Sequence, residues 1–192
     1  MLFLSITACV LGLIAAFGKA LTVIKVSANE TVDGLSPTST VLSVFSWSLW
    51  SFLSLTNLWL LTPVLVSLLL DWVLVAKACG VSNLWRKVAV VCAISTAAAA
   101  MLALLDPTAV LVGLLVVDVW CYAAAGRALH RSVAAAAVSI HSWSLAVLVA
   151  VVWTLLALWL RDWVLAAASF ASVIGATACT VIALAKQTQP AT

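Results

Sequence analysis

Asp118 is the residue of this sequence whose surroundings most favour a chemical role. It lies inside the apolar run Leu115–Trp120, which would place its carboxyl group at the depth of a lipid bilayer. Ionisable groups at that depth are energetically costly, so they face the protein interior and usually serve a function. Two roles stay open for Asp118. One is proton coupling, since burial disfavours the charged form of a carboxyl group, and the other is a hydrogen bond from the protonated carboxyl to a neighbouring helix.

Lys19 and Asp71 are two further ionisable residues that lie within apolar runs, at similar depth. Opposite charges in apolar surroundings favour each other's charged form, so we expect a structural ion pair between them. The sequence contains no Ser-His-Asp set, no phosphate-binding loop and no cluster of metal ligands, and its two histidines stand far from carboxylates. We therefore expect no enzymatic activity, no cofactor and no metal site.

Serine and tryptophan recur in the same order in the two halves of the chain. Ser46-Trp47-Ser48-Leu49 returns as Ser142-Trp143-Ser144-Leu145, and upstream of these copies Gly18-Lys19-Ala20-Leu21 matches Gly126-Arg127-Ala128-Leu129. The shared order indicates an internal repeat, as in transporters built from two related halves. Ser43 precedes Ser46 by three residues, which places both on one helix face. Small residues there favour either close helix packing or a hydroxyl-lined path between the repeats.

The composition requires a membrane environment. Of the 192 residues, 66% are hydrophobic and 8% are charged, whereas a soluble domain carries about 25% charged residues. Long apolar runs without alternating polarity favour α-helices, which pair all their backbone groups within one segment in lipid. A span needs about 20 apolar residues. We predict seven spans, at about 2–26, 37–55, 58–76, 88–105, 108–129, 133–160 and 163–185.

The repeat divides the seven transmembrane helices into three, one and three. We predict an all-α integral membrane protein with two parallel three-helix repeats joined by a linker helix. The boundaries are 1–77 for the first repeat, 78–106 for the linker loop and fourth helix, 107–186 for the second repeat, and 187–192 for a cytoplasmic tail.

Basic residues predict the orientation of these spans. Arg161 falls on one side of the predicted membrane, whereas eight basic residues fall on the other side or in that side's half of a helix: Lys19, Lys25, Lys77, Arg86, Lys87, Arg127, Arg131 and Lys186. Lys and Arg accumulate on the cytoplasmic side. We therefore expect a multi-pass protein of the cell membrane with its N-terminus outside and its C-terminus in the cytoplasm.

Three short motifs accompany the repeat. Gly34-Leu35-Ser36-Pro37 precedes the second span, and Leu49-Trp50 lies within it. In the second half, Trp153, Asp162 and Ala168-Ser169 follow one another with eight and then five residues between them. These motifs resemble those of the SWEET sugar transporters and the wider PQ-loop superfamily, although Ala-Ser replaces the family's Pro-Asn and the chain contains no Pro-Gln dipeptide. The resemblance implies three-plus-one-plus-three helices with the N-terminus outside.

The same resemblance implies a substrate-binding site. Two Trp and two Asn residues line the midplane sugar site of the family. By position, Trp50 and Trp153 carry over as substrate-binding residues, while Ser67 and Ser169 stand at the amide positions. A hydroxyl donates one proton, whereas an amide offers two donors and an acceptor. We therefore expect the site to hold a hexose weakly or to prefer a smaller solute.

The resemblance favours a transporter that moves a small neutral polar, sugar-like solute by alternating access. Asp118 is the candidate for proton coupling, and Pro37 and Pro63 are the predicted hinges, since Pro63 would kink the third span. Two alternatives stay open: a membrane-embedded structural or interaction protein that kept the fold without transport, and a proton-coupled amino-acid carrier. The expected partners are a small-molecule solute and the lipid bilayer, without nucleic acid, and the chain is either a monomer or a homo-oligomer.

Overall fold

The computed structural model describes residues 2–29, 31–54, 58–79, 94, 97 and 107–188. This part of the chain is helical, without strands. Its six long helices are α1 (Leu2–Asn29), α2 (Pro37–Ser54), α3 (Leu58–Cys79), α4 (Pro107–Arg131), α5 (Ile140–Leu160) and α6 (Trp163–Thr188). The fourth predicted span, 88–105, lies outside the described residues except for Ile94 and Ala97. The predicted all-α class is confirmed for the described residues.

Five of the described helices are long and apolar enough to cross a membrane. The five segments are Leu4–Asn29, Leu61–Ala78, Val112–Arg131, Ile140–Leu160 and Trp163–Thr188. Helix α2 is not among them, because eight of its 18 residues are Ser or Thr. The set supports a protein embedded in a membrane.

Five of the six helices begin within one residue of the predicted start, and α5 is the exception. The sequence predicts a start at Val133, but the helix begins at Ile140. Ser139 is its N-cap, and the hydroxyl of Ser139 accepts a hydrogen bond from the N–H of Ser142 (3.3 Å). The N–H of Val133 donates to the carboxylate of Asp33 at 3.3 Å, so a distant residue holds this segment as a loop.

The described helices form a closed ring. Helix α3 contacts both α1 and α2, and α6 contacts both α4 and α5. The two groups of three meet where α2 contacts α4 and where α1 contacts α5. The order around the ring is therefore α1, α3, α2, α4, α6, α5, and it places α2 opposite α5 and α3 opposite α6.

The connections between the first two helices of each group, 31–36 and 132–139, meet at one end of the ring. Asp33 accepts the hydrogen bonds that join the two connections. Its carboxylate accepts hydrogen bonds from the N–H groups of Val133 (3.3 Å) and Ala134 (3.0 Å), and its carbonyl oxygen accepts one from Ala137 (3.1 Å). These bonds join the two helix groups at that end.

Gly34 lets the two connections approach closely. Its φ of +85° is disfavoured for other residues, and a Cβ added there would lie 3.1 Å from the Cα of Ala135. The ends of α1 and α6 reach the same place, because Lys25 Nζ donates to the carbonyl oxygen of Val138 (2.7 Å) and Gln187 Nε2 donates to the same oxygen (2.8 Å). This end of the ring is closed by backbone and side-chain hydrogen bonds.

Candidate solute site

A central cavity of about 350 Å³ lies inside the ring, and all six described helices contribute to its wall. Five aromatic residues line it: Trp47, Trp50, Tyr122, Trp143 and Trp153. Nine Ser and Thr residues line it as well: Thr22, Ser36, Ser39, Thr40, Ser43, Ser46, Ser142, Ser169 and Ser172. Three charged residues complete its polar lining: Lys19, Asp71 and Asp118. Such a mixture of apolar walls and a few placed polar groups is typical of small-molecule sites.

Trp50 of α2 and Trp153 of α5 come together across the ring. Their ring centroids are 6.5 Å apart, with an interplanar angle of 31°. Aromatic pairs in direct contact have centroids about 4.5–7 Å apart, so these two rings touch and leave no space for a solute between them. In the described conformation the pair forms part of the cavity wall, and substrate binding by either Trp stays a prediction.

The two serines at the amide positions are placed differently from each other. Ser169 of α6 lines the cavity, as the resemblance implies. Ser67 of α3 is fully buried and is not among the lining residues, so the polar edge expected from it is not formed in this conformation and stays a prediction. Its hydroxyl has no hydrogen-bond partner among the described residues. Helix α3 contacts both α1 and α2, and a fully buried side chain on it belongs to the packing between helices.

Lys19 and Asp71 form the ion pair that the sequence predicts, and this pairing is confirmed. Lys19 Nζ also donates to Ser43 Oγ (3.0 Å) and lies 4.6 Å from the centroid of the Trp47 ring. Asp71 accepts a second hydrogen bond, from Ser43 Oγ at 2.5 Å. Both charges are thus compensated by groups from α1, α2 and α3. Lys19 in particular has its ammonium group engaged on three sides.

Asp118 faces the protein interior, as predicted, because it lines the cavity. Ser46 Oγ of α2 donates to Asp118 Oδ1 at 3.0 Å, so the carboxyl group bridges two helices. One turn further along α4, Cys121 lies 3.2 Å from the hydroxyl of Ser39. These two contacts lie where the first helix group meets the second. Proton coupling by Asp118 stays a prediction.

Ser43 and Ser46 therefore hold two carboxyl groups from a single face of α2, Ser43 that of Asp71 and Ser46 that of Asp118. Ser48 differs, since its hydroxyl donates to the carbonyl oxygen of Val44 in its own helix (2.8 Å). Ser43 and Ser46 both line the cavity, and the hydroxyl-lined path expected at this face stays a prediction.

Tyr122 is a cavity residue that the sequence reasoning missed. It follows Asp118 by four residues in α4, and this spacing places both on the same helix face, which is the signal that could have identified it. Its ring lies 6.0 Å from that of Trp143, at 52°. Gly175 of α6 leaves room for it, because a Cβ at Gly175 would lie 2.6 Å from Tyr122 Cβ.

The two predicted hinge prolines lie in different surroundings. Pro37 is the exposed first residue of α2, a position where its missing N–H costs nothing. Pro63 is buried inside α3, which continues through it, and it lines the cavity. A Cβ at Gly12 of α1 would lie 2.7 Å from Pro63 Cβ, so the proline packs closely against that helix. A hinge role for either proline stays a prediction.

Comparison of the chain with protein-family models, with curated proteins and with solved structures found no match. The resemblance to the SWEET and PQ-loop proteins therefore rests on the sequence motifs alone. In the structure, Trp50, Trp153 and Ser169 share one cavity.

Proposed function

We propose that the chain is a multi-pass membrane transporter of the SWEET and PQ-loop type, which moves a small polar solute by alternating access. The observation that carries the proposal is the central cavity, because every described helix lines it and it contains both aromatic and polar groups. Transporters built from repeats bind their solutes at the interface between the repeats, near the midplane. In this proposal, α1–α3 and α4–α6 are the two repeats, and the helix predicted at 88–105 links them.

The packing order of the helices supports this division. In each group the third helix contacts the first and the second, and the groups meet through two matching contacts, α2 with α4 and α1 with α5. A two-fold axis through the centre of the ring would exchange the α2–α4 contact with the α1–α5 contact. Rocking of one group against the other about this axis would open the cavity to either side of the membrane.

Uptake by reconstituted protein tests the proposal. Proteoliposomes with the purified full chain should take up at least one solute from a panel of sugars, amino acids and amines, above empty vesicles. Trp153→Ala should lower this uptake about tenfold or more, because the change removes a large aromatic surface from the cavity wall.

Trp159→Ala is the matched control for the Trp153 variant. Trp159 lies on the same helix, is 70% exposed and does not line the cavity, so its loss should leave uptake near the wild-type rate. Both variants should be recovered as folded protein. Equal uptake by the two variants would show that the cavity is not the transport route.

A membrane-embedded interaction protein without transport is the second candidate function. The direct contact of Trp50 with Trp153 favours it, because the two rings leave no space for a solute between them. Folded protein that takes up no solute of the panel would support this candidate. Solute uptake that depends on Trp153 would reject it.

A further inference from the structure

We propose that the central cavity binds a small organic cation, a primary or quaternary ammonium compound that carries no carboxylate group, with Asp118 as its counter-charge. The inference rests on the proposed function, because it names the solute class of the same cavity. It replaces the neutral solute that the family resemblance implies.

The cavity wall contains one unpaired charge. Lys19 and Asp71 form an ion pair, so their two charges neutralise each other. Asp118 lines the same cavity without an ion-pair partner in this part of the chain. With all three groups ionised, the wall carries one net negative charge. A cationic solute would neutralise this charge, whereas an anionic one would add to it.

Asp118 has free capacity to accept hydrogen bonds. Its described hydrogen bond comes from Ser46 Oγ, at 3.0 Å to Oδ1. An ionised carboxylate has two oxygens and about four acceptor sites. An ammonium group next to Asp118 could therefore form charge-assisted hydrogen bonds without displacing Ser46.

Three hydroxyl groups of the wall are also free to accept. The side chains of Thr22, Ser142 and Ser169 line the cavity, and within the described part of the chain their hydroxyls form no hydrogen bond. Ser169 is buried, with 8% of its surface exposed, and it lines the cavity. Buried hydroxyls usually find a partner, and a donor-rich ligand would supply one.

The aromatic walls suit a cation as well. The ammonium group of Lys19 already lies 4.6 Å from the Trp47 ring centroid, so the wall holds one cation over an aromatic face. Tyr122 and Trp143 form a second aromatic pair in the same cavity. Aromatic rings around an ammonium group are a common means of recognising organic cations.

The absence of a free cation in the described wall argues against amino acids. Lys19 is the one basic residue that lines the cavity, and its ammonium group is committed to Asp71, Ser43 and Trp47. A carboxylate on the solute would have no counter-charge and would be repelled by Asp118. The cavity of about 350 Å³ lies at the small end of ligand sites, in accord with a small amine.

A series of probes with similar shape and different charge tests the inference. Binding of choline, its zwitterionic analogue glycine betaine and its uncharged analogue 3,3-dimethyl-1-butanol is measured at equilibrium on the purified full chain, with ethanolamine as a primary amine. At least one of the two cations, choline or ethanolamine, should bind about tenfold or more tightly than betaine and the alcohol, because only these cations pair with Asp118 without repulsion. Equal binding of the uncharged analogue, or no binding of either cation, would overturn the inference.

Asp118→Asn identifies the counter-charge. Asn keeps the size of the side chain and an oxygen for Ser46, but it removes the negative charge. We expect amine affinity to fall about tenfold or more and alcohol affinity to stay unchanged. Asp162→Asn is the matched control, since Asp162 accepts from the N–H of Leu165 as the N-cap of α6, outside the cavity, and Asn caps equally well. Equal amine binding by the Asp118→Asn variant and the wild-type protein would overturn the inference.

Uptake measurements separate this inference from the proposed function. Amine binding that depends on Asp118, without uptake into proteoliposomes, would support the inference and contradict transport. Uptake of a sugar with no amine binding would support transport and overturn the inference.

Discussion

At the residue scale, the cavity contains a compensated charge pair beside an uncompensated carboxyl group. Asp71 is 2% exposed and receives both the ammonium group of Lys19 and the hydroxyl of Ser43. A buried ion pair is often no more stable than an apolar pair, but the loss of one partner leaves a costly isolated charge. Stability in this region therefore depends on keeping the two charges together.

Lys19→Met should destabilise the protein more than the double change of Lys19→Met with Asp71→Leu. The single variant leaves Asp71 buried without a cation, which costs about 3–5 kcal/mol, whereas the double variant leaves no charge. The measurement is the apparent Tm in detergent. Lys186→Met, outside the cavity, is the control and should change the Tm little. A double variant that is less stable than the single variant would contradict the expectation.

At the element scale, α4 and α6 approach each other through a glycine. Gly175 lies against the ring of Tyr122, and this contact positions an aromatic side chain on the face that also carries Asp118. Small residues allow this kind of close approach between membrane helices. The placement of Tyr122 in the cavity thus depends on the lack of a side chain at Gly175 of α6.

Gly175→Ala should destabilise the protein by about 1–3 kcal/mol, because the new Cβ would overlap the Tyr122 ring. Gly126→Ala in α4 is the matched control. A Cβ there would meet nothing within 4 Å, and Ala favours the helix by about 1 kcal/mol over Gly. Thermal unfolding of the two variants should therefore move in opposite directions. A stable Gly175→Ala protein would mean that α4 and α6 are not packed as described.

At the scale of the whole molecule, the ring has two different ends. The end at which 31–36 meets 132–139 also carries Lys25 and the C-terminal part of α6, and it is closed by hydrogen bonds. Arg161, in the turn between α5 and α6, belongs to the opposite end. The basic residues of the sequence predict that the first end faces the cytoplasm.

Cysteine labelling in intact cells tests this orientation. In a background without the native cysteines, Val133→Cys and Thr188→Cys should resist a membrane-impermeant reagent added from outside, and Arg161→Cys should react. Val133 is 89% exposed, so poor access within the protein would not explain its protection. A further predicted cytoplasmic position, Ser82, lies outside the described residues. Labelling of Val133→Cys or Thr188→Cys from outside would reverse the proposed topology.

Properties that depend on local composition and spacing could be predicted from the sequence alone. The apolar composition required membrane helices, and the positions of proline and polar residues predicted the starts of α2, α3, α4 and α6 to within one residue. Charges buried in apolar runs have few partners available to them, and for this reason the Lys19–Asp71 pair could be predicted without coordinates. The spacing of Ser43 and Ser46 likewise indicated one polar helix face.

Properties that depend on contacts between distant residues were decided by the tertiary structure. Asp33 binds the N–H groups of Val133 and Ala134, about a hundred positions further along the chain, and so delays the start of α5. Ser67 is withdrawn from the cavity because the helices around α3 cover it. No local pattern contains these interactions, because backbone hydrogen-bond partners and burial are set by which helices become neighbours.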